Sequence, residues 1–356
     1  MLDYLIVGSG LAGMAITETL RREGCSLRVF DDASQQASRV AGGLYNPVVL
    51  KRFTLAWEGS RLMAFSLPFY QELERRWGIS IDRKTPVYRR LASAEEQNAW
   101  FEASDRPGLS EFLEPGIVRN ENQALDAPFG FGRVRNTGRI ATSALLNAFS
   151  RELREQGQLD TAAFDHALLE FGEGHVRYGG QKARRVVFCE GFGMRGNPFF
   201  NYLPLQGTKG ELLTIRAPEL REERIVKSGV FFIPLGHDRY RVGATYAWND
   251  FTHGPTREAR EELLGQLRKF VRCDFEVEGQ VAGIRPTVPD RRPLAGRHPE
   301  RPELFVLNGM GSRGVLIAPY AAHCLARFME GGEPLPPEMD VARYRSHFGK
   351  DGRGLA

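Results

Sequence analysis

Three glycines behind a short apolar run restrict this chain more than any other feature. Residues 4–7, Tyr-Leu-Ile-Val, read as a strand buried on both faces. Gly8, Gly10 and Gly13 follow at GxGxxG spacing, and Leu11, Ala15, Ile16 and Leu20 then recur at helical intervals. Gly24 after Arg21-Arg22-Glu23 marks a helix stop, and residues 27–30 read as a second strand closed by Asp31-Asp32. Asp31 stands 31 − 13 = 18 residues beyond Gly13, near the spacing of about 20 found in dinucleotide-binding βαβ units. The first glycine makes the turn, the second lets backbone N–H groups approach a pyrophosphate, and the third lets helix and strand pack closely. Ser9, Leu11 and Ala12 complete the turn, where a helix N-terminus offers unpaired N–H groups to phosphate. Asp31, with Asp32 beside it, supplies acceptors for ribose hydroxyls.

Two further stretches match the same pattern. Gly191-Gly193-Gly196 leads into Asn-Pro-Phe-Phe-Asn, which does not read as a helix, so a loop with Gly191 near the ligand is expected. Gly309-Gly311-Gly314 follows a strand at residues 304–307 and opens a helix toward Glu330. No strand leads into an acid after that helix, so a second nucleotide is not expected there. Its N-terminus can still face an anionic part of the same ligand.

Elsewhere residues 55–78 carry Leu62, Phe65, Phe69 and Leu73 on one helical stripe, residues 91–115 are polar and irregular, and Thr142 is read as the cap of a helix to Leu153. Residues 185–189 form an apolar strand, and residues 257–271 are helical. Period-2 stretches at residues 212–215, 230–233 and 240–243 predict antiparallel sheet between α/β pieces. The tail from Gly349 is expected to fray.

Composition is that of a globular chain: 42% hydrophobic and 26% charged over 356 residues, long enough for two domains. Four scattered cysteines give no disulfide framework or zinc ribbon, and seven histidines form no metal motif. No apolar run reaches membrane-spanning length and no charged leader precedes the first strand, so a cytoplasmic protein without membrane contact is expected. The net charge of +4 comes from 41 Arg and 7 Lys spread evenly, which argues against a nucleic-acid surface.

Together these motifs resemble the flavin-dependent D-amino-acid oxidase and glycine oxidase family. The opening Gly8-Ser9-Gly10-Leu11-Ala12-Gly13 with Asp31 is similar to that family's first turn, and Ala41-Gly42-Gly43-Leu44 to its second flavin-contacting loop. Gly283-Ile284-Arg285-Pro286-Thr287-Val288-Pro289-Asp290 resembles its GxRPxxPD signature, and Gly311-Ser312-Arg313-Gly314-Val315 its C-terminal flavin loop. The last stretch also resembles the flavin domain of the bifunctional enzyme that processes the tRNA wobble uridine side chain. The resemblance implies an α/β fold. It has a Rossmann-type FAD-binding domain (glutathione-reductase-like) over residues 1–50, 137–205 and 283–356. An inserted α+β substrate domain on an antiparallel or mixed sheet takes residues 51–136 and 206–282.

It further implies an oxidoreductase holding FAD non-covalently. Such an enzyme oxidises a C–N bond of a small amine or amino acid by hydride transfer to flavin N5, followed by imine hydrolysis. Dioxygen or another acceptor then takes the electrons. Arg285 would grip a substrate carboxylate, against the alternative of a structural arginine on turn carbonyls. Arg313 would assist the flavin loop or face solvent. Where some relatives place a substrate-facing Tyr, this chain has Phe231. Tyr246 and Trp248 are the replacements in view, with Tyr246 read as either core or pocket lining. No Cys lies between Cys273 and Cys324, which removes the covalent flavin attachment of sarcosine-type relatives; both are expected to be buried. Other readings are processing of a modified tRNA nucleoside, a non-catalytic flavoprotein, and an NAD-dependent dehydrogenase, the last lacking any account of the C-terminal signature.

Overall fold

The computed structural model describes residues 1–349, and the expectations for the tail beyond Gly349 lie outside them. Strand Leu2–Val7 sits in a parallel sheet between Leu27–Phe30 and Gln181–Phe188. Leu304–Asn308 extends the sheet in parallel beyond Gln181–Phe188, and Leu159–Asp160 lies parallel at the opposite edge. The apolar run at residues 4–7 follows from burial on both faces. Tyr4 and Ile6 pack with the helices on one side. Leu5 and Val7 pack on the other against a layer containing Phe188, Phe199 and Phe200.

The second large sheet has eight strands, in the order Glu276–Thr287, Gln206–Arg216, Arg239–Gly243, Phe231–Gly236, Ile225–Lys227, Val87–Arg90, Phe131–Val134 and Leu113–Val118. Every pair is antiparallel except Ile225–Lys227 with Val87–Arg90. Leu213, Ile215, Phe232, Tyr240 and Val242 point to one face and pack with Leu263 and Leu267 of helix Arg257–Arg268. The opposite face carries Leu212, Phe231 and Ile233 and looks into the space between the two sheets.

Several local expectations shift. The polar stretch at 91–115 contains a helix, Ala94–Ser104, whose Ser93 Oγ accepts from Glu96 N. Thr142 lies inside helix Thr142–Glu155 rather than capping it, and its hydroxyl donates to Ala41 O at 3.4 Å. Helix Gly59–Trp77, expected with the substrate part, packs against helix Gly314–Gly331 in the core beneath the parallel sheet. Strand Glu276–Thr287 runs across the boundary expected at 282/283 and stays in the second sheet throughout. Cys273 and Cys324 are half-buried rather than fully buried. Among the described residues no helix is long and apolar enough to cross a membrane.

The packing of Gly59–Trp77 has a specific chemical basis. Pro319 lies inside helix Gly314–Gly331 and offers no N–H, so Val315 O loses its intrahelical donor. Tyr70 OH donates to that carbonyl at 2.8 Å, and Ser66 Oγ donates to Leu316 O at 2.7 Å. Tyr70→Phe should therefore leave a buried carbonyl unpaired and cost about 1–3 kcal/mol in denaturant unfolding. A variant that unfolds at the wild-type midpoint would show that the hydroxyl contributes nothing.

Candidate active site

A cavity of about 570 Å³ opens between the parallel sheet and the face of the mixed sheet that carries Leu212, Phe231 and Ile233. Its first wall is the GxGxxG turn. Gly8 has φ +99°, and a Cβ there would lie 2.4 Å from Cys189 O. A Cβ on Gly13 would lie 1.8 Å from Gly8 O, so this glycine is the helix–strand contact and does not line the cavity. Gly8, Ser9, Gly10, Leu11 and Ala12 do line it. A Cβ on Gly10 would press on Ser38 Oγ at 3.1 Å, a rotatable hydroxyl that must give by a few tenths of an ångström, and would take space from the cavity. Gly10 offers helix Leu11–Arg22 no side-chain cap; Ser38 Oγ accepts from Leu11 N at 3.1 Å, and the N–H groups of Ala12 and Gly13 have no side-chain acceptor among the described residues.

Asp31 and Asp32 border the same end. Ser9 Oγ donates to Asp31 Oδ2, and Ala33 N donates to Oδ1 at 3.3 Å, which orients the carboxylate. Gly191 belongs to a short 3-10 turn, Gly191–Gly196, and borders the cavity as its loop reading implied. Ala41, Gly42, Gly43 and Leu44 form the adjoining wall. Gly43 has φ +69° and a Cβ would strike Ile140 O at 1.9 Å, so only glycine fits. From the far side come Gly311, Ser312, Arg313, Gly314 and Val315, where a second helix N-terminus opens onto the cavity without a side-chain cap.

Arg285 rises from strand Glu276–Thr287 into the cavity. Its guanidinium lies over Gly210, where a Cβ would be 1.9 Å from Nη2, and 4.6 Å from the centroid of the Tyr246 ring. Nη1 donates to Thr245 O at 3.3 Å. Among the described residues it has no ion-pair partner, and burial lowers its pKa. It is thus fixed by one carbonyl, as the structural alternative supposed, while the rest of its fork faces the cavity. Tyr246 is 60% exposed and lines the cavity, which excludes the core reading. Trp248, 51% exposed, does not line it. Arg313 does not face solvent freely: it is half-buried, donates to Asn46 O at 2.6 Å, and burial lowers its pKa.

Four cavity residues carried no readable signal. Gly210 is one glycine among 39, and Lys227 and Lys51 one lysine each in unremarkable stretches. His166, expected to be an ordinary strand or loop residue, borders the cavity with Nε2 2.8 Å from Glu190 Oε1. Cys189 also borders it, but burial pushes its thiol well above the ordinary value, which keeps it protonated and unreactive.

Residues 3–328 match the DAO family, described as FAD dependent oxidoreductase. The chain belongs to this family. It is an FAD-dependent oxidoreductase with the family fold. It is 27% identical to a glycine oxidase of Geobacillus kaustophilus over 98% of both chains. It is 25% identical to a glycine oxidase of Pseudomonas aeruginosa over 96% of this chain and 97% of that one. It is 26% identical to the tRNA 5-methylaminomethyl-2-thiouridine biosynthesis bifunctional protein of an Azoarcus species, over 95% of this chain but 58% of that protein. The crystal structure of a glycine oxidase from Geobacillus kaustophilus superposes with a TM-score of 0.78 at 22% identity, covering 96% of this chain and 97% of that one. An iminodiacetate oxidase from Chelativorans superposes with 0.76 at 18%, covering 96% and 98%.

The cavity suits FAD on its own chemistry. The N-terminus of helix Leu11–Arg22 beside Gly10 suits a pyrophosphate, and an oriented carboxylate suits ribose. Acid precipitation should release free FAD into the supernatant, since the Cys189 thiol is protonated and no other cysteine borders the cavity. Flavin retained in the pellet would overturn this. Gly10→Val should give a folded protein that purifies colourless; a yellow variant with full flavin content would refute the pyrophosphate role.

Proposed function

We propose that this DAO-family enzyme oxidises the C–N bond of an amino acid or secondary amine that carries a carboxylate. The observation behind this reading is Arg285: a half-buried guanidinium in the cavity, lacking a carboxylate among the described residues and held from behind by Thr245 O. Such a fork accepts a carboxylate in two parallel hydrogen bonds, with geometry that a lysine cannot reproduce. The glycine oxidases it resembles are consistent with a substrate of this size.

Bound FAD supplies the two-electron acceptor, so the protein's own work is to bind, orient and keep water out. Arg285 fixes one end of the substrate, Gly210 clears the space for the guanidinium, and Tyr246 covers it. Phe231 lines the cavity and offers the substrate an apolar ring without a hydroxyl. The N-terminus of helix Gly314–Gly331 opens onto the cavity, where its partial positive charge would stabilise negative charge on a reduced flavin. Loss of a hydride from the carbon beside nitrogen, which bound FAD would accept, and of a proton from the nitrogen, which water would take, leaves an imine that water converts to a carbonyl compound and an amine or ammonia. Dioxygen or another acceptor completes the cycle. On this reading residues 1–50, 137–205 and the C-terminal stretch carry the cofactor, helped by helix Gly59–Trp77, and the mixed sheet carries the substrate.

Anaerobic flavin reduction by a screen of amino acids and N-alkylglycines tests the reading. Arg285→Ala and Arg285→Lys should each lose on the order of 30-fold or more in kcat/KM, as expected for a broken buried charge pair of about 2–5 kcal/mol. Variants that keep their flavin and reduce at the wild-type rate would make Arg285 structural. Gly210→Ala removes no functional group, yet its Cβ must displace the guanidinium. It should raise KM in the same direction as Arg285→Ala, and an unchanged KM would show that the guanidinium position over Gly210 is immaterial.

A further inference from the structure

The charged groups around the cavity are sorted by end. Its carboxylates are Asp31, Asp32 and Glu190, all on the side of the GxGxxG turn. Its other end carries Lys51, Lys227, Arg285 and Arg313 without a carboxylate among the lining residues. One arginine suffices for one substrate carboxylate, so this end holds more positive charge than a simple amino acid uses.

Lys227 is the residue whose placement is most specific. Directly opposite residues form a row across five neighbouring strands: Leu212, Gly243, Phe231, Lys227 and Arg89. Leu212, Gly243, Phe231 and Lys227 all border the cavity, so the row is a floor with a cation at its far end. Arg285 lies over Gly210 on the strand that carries Leu212, three strand spacings from Lys227, or about 14 Å between backbones. Lys227 Nζ sits 5.0 Å from the Phe231 ring and donates to Gly229 O at 2.7 Å. Its remaining two donors have no protein acceptor among the described residues. Glu96, the acid nearest along the row, is taken by Arg89 Nη2 and Ala92 N. Burial, aided by Arg89, lowers the Lys227 amine to about 8, the mark of a cation whose surroundings provide no anion.

We propose that Lys227 recognises a second acidic group on the substrate, so that the enzyme takes an amine with a carboxylate at Arg285 and a further anionic group several bonds away. This rests on the carboxylate-gripping reading of Arg285. The apolar floor of Leu212, Gly243 and Phe231 accepts the linking carbons, and the two cations measure the length between the acids.

Two measurements on the holoenzyme separate this inference from the reading beneath it. In the first, flavin absorbance is titrated with unreactive α,ω-dicarboxylates of increasing length and with monocarboxylates of the same length. Wild type should prefer the diacid at one length by on the order of tenfold, and Lys227→Met should bring the ratio to about one, while Lys227→Arg restores part of it. In the second, N-(ω-carboxyalkyl)glycines, their phosphonate counterparts and N-alkylglycines are compared as reductants of the flavin. The kcat/KM advantage of the acid-bearing series should vanish in Lys227→Met, and the better of the two acids identifies the group. Equal binding of mono- and diacids by wild type, or a diacid preference that survives Lys227→Met, overturns the inference. A diacid preference without any flavin reduction supports the two-ended site and instead overturns the amine-oxidising reading.

Discussion

The approach of helix Leu11–Arg22 to the strand ends is the contact on which the rest of the molecule depends. It is made by atoms that leave no room for a methyl group: Gly13 against Gly8 O, and Gly8 against Cys189 O. Because the contacts are backbone to backbone, they hold the first helix, the first strand and strand Gln181–Phe188 as one unit. The helix N-terminus then points at a fixed place, and helix Gly314–Gly331, packed beside the first helix, points its own N-terminus into the same cavity. Two partial positive charges thus meet at one cavity, which suits an anionic ligand. The second helix keeps its position in turn because Tyr70 and Ser66 satisfy carbonyls around a proline.

Glycine performs a different task on the opposite wall. Gly210 and Gly243 leave gaps in a sheet face otherwise made of Leu212, Phe231 and Ile233. The Arg285 side chain occupies the first gap and is held there by Thr245 O and the Tyr246 ring. A guanidinium in a shallow, partly desolvated position attracts a carboxylate more strongly than one in water. The sorting of acids to one end of the cavity and bases to the other gives a ligand a preferred direction before any close contact forms.

Signals carried by neighbouring residues were legible in the sequence. The βαβ opening, the Asp31 terminus, the residues 41–44 and 311–315 loops and Arg285 all line one cavity, and the alternating stretches at 212–215, 230–233 and 240–243 do form antiparallel strands. Signals that depend on a distant partner were not. Helix Gly59–Trp77 shows its apolar stripe, but nothing in the stripe says that its partner is a helix about 250 residues away. Tyr246 has the composition of a core residue and lies at a cavity edge because Arg285 and Gly210 are beneath it.

Short-range patterning by itself determined the βαβ opening and its dinucleotide turn, because their steric and hydrogen-bonding needs are local; the fold class and the role of Arg285 came from the resemblance of several such motifs, in order, to one family. Only the tertiary structure decided that Gly210 makes room for Arg285, that Cys189 and His166 border the ligand cavity, and that Lys227 is the last cavity-lining member of a row that ends on Arg89. The strands of that row come from residues 87–90 and 206–243, and their pairing is fixed by register across the sheet, not by spacing along the chain. That pairing brings Lys227 and Arg285 to one cavity, and Lys51 and Arg313 join them from outside the mixed sheet, so a chain of nearly even charge distribution acquires its cationic pocket lining only on folding.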